Sequence, residues 1–195
     1  MTENITFEKV STQYYDVLKE LGNIGAGNAT TALAQMLSCK VDMKVPKVRL
    51  LNFNEVGEVM GGEEQIVVGI YLAIEGDISG SIMFILEQSA GKALVSKLMG
   101  MTPSEGEYTE IELSAMKEIG NIITGAYLSS LSDLTRLTIQ ASVPYMAMDM
   151  AGAILSVPAI EFGKLGDKAL MIEAEFGGDQ NEEIGGYFLL IPTME

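Results

Sequence analysis

Residues 20–33, ELGNIGAGNATTAL, and residues 118–131, EIGNIITGAYLSSL, align at a constant offset of 98 residues. Beyond these two stretches the same offset still matches single residues, which indicates an internal duplication rather than a chance similarity. The positions that keep this register are, in pairs, Glu20 and Glu118, Gly22 and Gly120, Asn23 and Asn121, Gly27 and Gly125, and Pro46 and Pro144, while Asp16 falls on Ser114.

Each copy of the repeat lies in a segment with helical periodicity. Apolar side chains recur at helical spacing through residues 8–38, which predicts one long helix. A second long helix is predicted from Thr109 to about Leu134, because Thr109 and Glu112 have the spacing of a capping box. A glycine inside a helix costs about 1 kcal/mol relative to alanine, so the repeated glycines predict close packing of the helices. Exposed backbone for the docking of a partner is the alternative.

Strand patterns follow each predicted helix. Residues 41–51 alternate and are rich in valine, and Pro46 places this strand at an edge or a bulge. Two antiparallel pairs are predicted at 66–76 with 80–86 and at 169–177 with 185–192. After the first pair, residues 88–100 predict a short helix that is capped near Ser89 and ends at Gly100.

The order of helix, strand and hairpin therefore occurs twice, at about 8–100 and 109–192, within one domain. We expect an α+β fold in which antiparallel strands from both halves form one sheet. A sheet with one buried face needs a layer of helices over it, and the two long helices, related by a pseudo-two-fold axis, supply that layer.

Composition and charge exclude several classes of function. Twelve basic and 27 acidic residues give a net charge of −15, which argues against binding to nucleic acid or to an anionic membrane. The chain has no histidine and a single cysteine, so His-based catalysis, disulfides and Cys-cluster zinc sites are excluded. No apolar run reaches the roughly 18 residues of a membrane span. The first ten residues do not have the pattern of a signal peptide, so we expect a cytoplasmic protein.

The polar residues of the repeat have the spacing of one helix face. Asp16, Glu20 and Asn23 stand at i, i+4 and i+7, as do their counterparts in the second copy. An amide such as that of Asn23 can hold a water against a phosphoryl group without repelling it. The carboxylate of Glu20 suits a cation of the partner instead. A convex helix face cannot enclose a small substrate, so the partner is expected to be a protein.

A Glu and an Asn one turn apart are, in a single copy, ordinarily a solvated helix face. Their retention in both copies favours a function. Together with the surrounding strings, the pattern resembles the paired signature of the CheC family of chemotaxis phosphatases. That signature is carried by Asp16-x-x-x-Glu20-x-x-Asn23 and, after 22 intervening residues, Pro46, and again by Ser114-x-x-x-Glu118-x-x-Asn121 and Pro144.

The resemblance implies a CheC-like fold and a hydrolase that removes the aspartyl phosphate from the response regulator CheY. In that case Asn23 and Asn121 orient the attacking water, and Glu20 and Glu118 contact the regulator's lysine. The resemblance also implies binding of the receptor deamidase CheD near Asp149 and modulation of the activity by it. No metal or cofactor of its own is expected, and any Mg²⁺ belongs to the regulator. The alternative is a non-catalytic adaptor or flagellar-switch module.

Overall fold

The computed structural model describes residues 12–37, 40–45, 47–162, 168–177 and 184–192. None of the helices in these ranges is long and apolar enough to cross a bilayer. The helices are α1 Thr12–Leu37, α2 Val56–Val59, α3 Gln88–Met99, α4 Glu110–Thr135 and α5 Ala151–Phe162, with a 3-10 turn at Phe53–Glu55 before α2. The strands are β1 Asp42–Lys44, β2 Val48–Asn52, β3 Ile66–Gly76, β4 Gly80–Glu87, β5 Ile139–Ala141, β6 Tyr145–Met150, β7 Lys168–Gly177 and β8 Ile184–Pro192.

The eight described strands form one antiparallel sheet, so the predicted α+β class is confirmed. Its order is β1-β7-β8-β4-β3-β5, with β2 also beside β7 and β6 also beside β3. Exchanging the two halves of the chain leaves this order unchanged, as a pseudo-two-fold axis between the central strands β4 and β8 requires. The long helices α1 and α4 both have 26 residues. The boundaries of 8–100 and 109–192 for the two repeats stay predictions.

Both faces of the sheet are buried. On β3, Val68, Ile70 and Leu72 belong to the core that includes residues of α1, α3 and α4. The alternating residues Val67 and Tyr71 belong to a second core, which α2 and α5 complete on the opposite face. The prediction of a sheet with one buried face was therefore wrong, because α5 and the short α2 cover the face that was expected to meet solvent.

Local sequence signals predicted some boundaries and missed others. The capping box at Thr109 is present, and Gly100 ends α3 in the left-handed conformation with φ of 63°. The cap predicted near Ser89 is wrong, because α3 begins at Gln88 directly after β4 and the N-cap residue Glu87 makes no side-chain capping bond. The strand predicted at 41–51 is divided into β1 and β2, with Pro46 outside the described residues.

Only some of the glycines in the two long helices have a packing role. A Cβ on Gly25 would lie 2.8 Å from Tyr127 Cδ2, and a Cβ on Gly120 would lie 2.0 Å from Ile70 Cδ1. Gly27 and Gly125 are exposed, and a Cβ there would meet no atom within 4 Å among the described residues. Close packing was therefore the wrong explanation for Gly27 and Gly125.

Candidate functional site

The predicted Glu–Asn pairs lie on the solvent side of the two long helices. Glu20, Asn23 and Glu118 are exposed, and Asn121 is half-buried. In each pair the i, i+3 spacing places the two Cβ atoms about 5–6 Å apart. The opposite sides of α1 and α4 are apolar and buried against the sheet, and they carry Ala26, Ala29 and Leu33 on α1 and Met116, Ile119 and Ile123 on α4. This amphipathic pattern keeps the polar pairs outside.

The residues expected to support the pairs are only partly described. Ser114 is exposed on α4, one helical turn before Glu118. Asp16 lies one turn before Glu20 in α1, but its side chain lies outside the described part of the chain, as does all of Pro46. Pro144 is half-buried in the connection between β5 and β6.

The carboxamide of Asn23 is held by the main chain that follows α1. The N–H of Val45 donates a hydrogen bond to Asn23 Oδ1 at 3.1 Å. Val45 itself is buried, with 2% exposure. Gly22 allows this approach, since a Cβ there would already lie 3.2 Å from Val45 Cγ1. Because an N–H donor must face the oxygen of the amide, this bond also leaves the NH₂ group of Asn23 available to a docked partner.

The surroundings of Asn121 in the second copy differ from those of Asn23. Val143, which matches Val45 in the repeat, is 88% exposed. Among the described residues no hydrogen bond to the carboxamide of Asn121 is found. The residue before Val143 binds β3, where Ser142 N donates to Ala73 O at 2.9 Å and Ser142 Oγ accepts from Ala73 N at 3.0 Å. The matching residue Lys44 likewise pairs with Glu175 of β7. The two pairs therefore share their helix face but have different surroundings.

Sequence reasoning missed two basic residues and one main-chain donor. Lys19 and Lys117 are both exposed and also keep the offset of 98, so that KE-x-GNI occurs in both copies. Each lysine lies one turn before the asparagine of its pair and thus shares its helix face. The repeated hexapeptide was a signal that could have identified them. The role of the Val45 N–H had no sequence signal, because every residue except proline carries that group.

A buried polar cluster fixes the start of α4 and so the second pair. The Glu112 carboxylate accepts hydrogen bonds from Thr109 N and Ser104 Oγ, both at 2.7 Å. These bonds, first of all that from the Thr109 backbone, lower the pKa of Glu112 from 4.5 to about 2. Lys92 Nζ binds the same connector, donating to Ser104 O at 2.9 Å and to Gly106 O at 2.7 Å.

Asp149 lies away from the helices, on β6 at an edge of the sheet. It is exposed, and its Oδ1 accepts a hydrogen bond from Met150 N at 2.7 Å. Within the described ranges, no group of three or more acidic, histidine or cysteine side chains could hold a metal ion.

The geometry suits docking of a protein more than enclosure of a small molecule. Each pair offers one carboxylate and one amide on a convex surface, next to a lysine. An amide can orient a water, and a carboxylate can bind a cation. The described residues around the two pairs form no walls that would bury a small substrate. The chain can therefore contribute polar groups to a reaction centre that a partner protein supplies.

Comparison with known proteins agrees with this geometry. Sequence profiles match at residues 15–49 for the CheC-like family and at residues 67–162 for chemotaxis phosphatase CheX. Among solved structures, Thermotoga maritima FliY has a TM-score of 0.76 at 23% identity, covering 94% of this chain and 92% of that one. The complex of CheX with CheY, BeF3 and Mg²⁺ from Borrelia burgdorferi has a TM-score of 0.51 at 16% identity, with 88% and 96% covered.

A curated relative covers nearly the whole chain. The CheY-P phosphatase CheC of Bacillus subtilis is 35% identical over 193 residues, which are 97% of this chain and 92% of the relative. Similarity of this extent includes both long helices and the strands that follow them. The protein therefore belongs to the CheC family.

Proposed function

We propose that this protein is a phosphatase that hydrolyses the aspartyl phosphate of a CheY response regulator. The observation that carries the proposal is the Glu–Asn pair presented outward on each long helix, at Glu20 and Asn23 and at Glu118 and Asn121. The activity of the Bacillus subtilis relative, a CheY-P phosphatase, supports it. So does the existence of a CheX–CheY complex among the structures that share the fold.

The proposed reaction is the transfer of the phosphoryl group to water. The water oxygen attacks phosphorus, the bond between phosphorus and the aspartyl oxygen breaks, and the products are the free aspartate of the regulator and inorganic phosphate. Asn23 or Asn121 accepts a hydrogen bond from the water and aligns it with the leaving oxygen. Glu20 or Glu118 contacts the phosphate-binding lysine of the regulator. The chain contributes no metal to this scheme, and Mg²⁺ comes with the regulator.

A second part of the proposal is that the receptor deamidase CheD binds near Asp149 and modulates the activity. The edge position of β6 and the exposure of Asp149 support a docking role for this strand. An edge strand offers main-chain groups to a partner, and an exposed carboxylate offers a charge for its orientation. An adaptor or flagellar-switch module without turnover is the competing function.

The decay rate of phosphorylated CheY tests these alternatives. It is measured without added protein, with the wild type, with Asn23→Ala, with Asn121→Ala and with the double variant. Two working sites predict that each single variant keeps part of the acceleration and that the double variant loses it. The expected loss is about 10²- to 10³-fold at each site, as for other transition-state hydrogen-bonding groups.

Gln35→Ala is the matched control, because it removes another exposed amide from α1. It should leave the decay rate unchanged. Binding of CheY to the double variant should persist, since the helix faces are otherwise intact. Unaltered turnover in the double variant would contradict the phosphatase mechanism. No acceleration even by the wild type would favour the adaptor or switch function, and binding of CheD would then be measured next.

A further inference from the structure

The surroundings of Asn23 and Asn121 differ more than the two repeat sequences that contain them. Asn23 shares a hydrogen bond with the main chain of a buried residue, Val45, whereas Val143 at the matching position faces solvent. Gly22 and Gly120 also match in the repeat, yet Gly22 faces Val45 and Gly120 faces Ile70 on strand β3. Both segments contribute a strand to the sheet, β1 beside β7 and β5 beside β3. The difference therefore lies just after each strand, where Val45 is buried against its own helix and Val143 faces solvent.

The hydrogen bond at Asn23 restricts one particular freedom. An asparagine side chain on a helix surface can rotate about χ2 and can exchange the places of its oxygen and nitrogen. The Val45 N–H removes this freedom, because it attracts the oxygen and repels the NH₂ group. The carbonyl oxygen keeps its second lone pair, which remains available to a water, and the NH₂ group takes no part in this bond.

We propose that the main-chain N–H of Val45 is a positioning group that orients the Asn23 carboxamide before the partner docks. The Asn121 carboxamide has no such donor among the described residues, so it becomes ordered only in the complex. This inference rests on the proposed function, since it assigns a step of that reaction to each site. Its structural part, the hydrogen bond itself, can be tested without any substrate.

The substrate-free test is exchange of the main-chain amide hydrogens, measured by NMR on the full chain. The Val45 amide should exchange slowly in the wild type, and Asn23→Ala should accelerate its exchange about tenfold or more. The Val143 amide should exchange fast in the wild type, and Asn121→Ala should not change it. If the Val45 amide is equally protected from exchange in the wild type and in Asn23→Ala, the proposal is overturned, whatever the phosphatase assay gives.

The kinetic test removes only the donor. Replacing Val45 by α-hydroxyisovaleric acid keeps the isopropyl side chain and exchanges the N–H for an ester oxygen. In the Asn121→Ala background, where only the first site works, we expect kcat to fall about three- to tenfold with KM unchanged. This range corresponds to the rotational freedom that the bond removes from one side chain.

Two controls separate positioning from damage to the fold. The same ester at position 45 in the Asn23→Ala background should leave turnover by the second site unchanged. The equivalent ester at Val143 in that background should likewise have no effect. A fall in kcat in either control, an unchanged kcat in the first-site enzyme, or a change in KM alone would overturn the proposal. Absence of turnover in the unmodified wild type would instead contradict the proposed function, while the exchange experiment would still decide on the hydrogen bond.

Discussion

Alanine should be tolerated less well at Gly120 than at Gly125, so that the Gly120→Ala protein is the less stable of the two variants. Both glycines lie inside α4, five residues apart, and both occur in the repeat. They differ in what a methyl group would meet. At Gly120 a Cβ would lie 2.0 Å from Ile70 Cδ1 and 3.1 Å from Ile70 Cγ1, whereas at Gly125 it would meet no atom of the described residues within 4 Å.

The change in the free energy of unfolding has two contributions. Alanine is better than glycine inside a helix by about 1 kcal/mol, and this gain is common to both variants. Ile70 is fully buried, so it cannot move aside freely, and overpacking of such a site costs about 1–3 kcal/mol. Gly125→Ala should therefore raise the free energy of unfolding by about 1 kcal/mol. The free energy of unfolding of Gly120→Ala should be about 1–3 kcal/mol lower than that of Gly125→Ala, because the gain in helix propensity is the same in both variants.

Urea unfolding at 25 °C, followed by circular dichroism, measures the three free energies. The m-values should be the same for the wild type and both variants, which would show that the denatured states are comparable. Equal stability of the two variants within 0.5 kcal/mol would refute the packing role of Gly120. A Gly125→Ala variant less stable than the wild type would refute the reasoning about open space.

The same Gly125→Ala protein also tests why a glycine stands there at all. Gly125 is one helical turn beyond Asn121 on the exposed side of α4. Bare backbone next to the amide lets a docked protein approach closely. A variant that is more stable but has a higher KM for phosphorylated CheY would support docking as the reason. An unchanged KM would leave the glycine without a role in either packing or docking.

Three further predictions concern charge and hydrogen bonding. Because the pKa of Glu112 is low, its contribution to stability is fully present above pH 4.5 and is lost as the pH falls towards 2. The difference in unfolding free energy between the wild type and Glu112→Gln should therefore narrow over that pH range. Lys19→Gln and Lys117→Gln each remove an exposed positive charge beside a Glu–Asn pair. Each should raise KM for phosphorylated CheY about two- to fivefold at low salt and by less at high salt. Decay rates of phosphorylated CheY at two ionic strengths measure this effect. Asn28 Nδ2 donates to Ser130 Oγ at 2.8 Å between α1 and α4. A double-mutant cycle with alanine at both positions, followed by urea unfolding, should therefore give a coupling energy of about 1 kcal/mol, and a value near zero would contradict it.

Features that depend on local sequence could be predicted well. The capping box at Thr109 needs only Glu112 three residues later, and it is present. The hairpin of β3 and β4 was evident from two β-rich segments joined by the turn near Asp77. The polar faces of α1 and α4 followed from helical spacing alone. In each case the determining contacts lie within a few residues of one another, so the pattern along the chain contains them.

The second buried face of the sheet was missed although its signal was present. Residues 66–74, IVVGIYLAI, contain no charged side chain, and a strand that is buried on both sides has such a continuous apolar run. Its covering helix α5 was harder to predict, because AGAILSVPAI lacks a polar stripe and Pro158 lies inside the helix. Proline ordinarily ends or kinks a helix, so the sequence favoured a boundary there.

The difference between the two sites could not be predicted from the duplication. Val45 and Val143 match in the repeat and precede the matching prolines, so sequence alone assigns them the same environment. The environments diverge although both segments lie in the sheet. Val45 is buried and donates to Asn23, whereas Val143 is exposed beside Ser142, which binds Ala73, 69 positions earlier in the chain. Contacts of such separation depend on how the strands are arranged, which the repeat does not encode.

This divergence determines which experiments are informative. The repeated sequence identifies both Glu–Asn pairs at once. The double variant Asn23→Ala with Asn121→Ala therefore tests only whether the two pairs matter together. The hydrogen bond from Val45 makes Asn23 a preordered amide, whereas Asn121 depends on its partner for order. Only enzymes with one working site can resolve that difference. If the Val45 ester lowers kcat in the first-site enzyme and leaves the second-site enzyme unchanged, the two copies have come to perform the same reaction by different means of orientation.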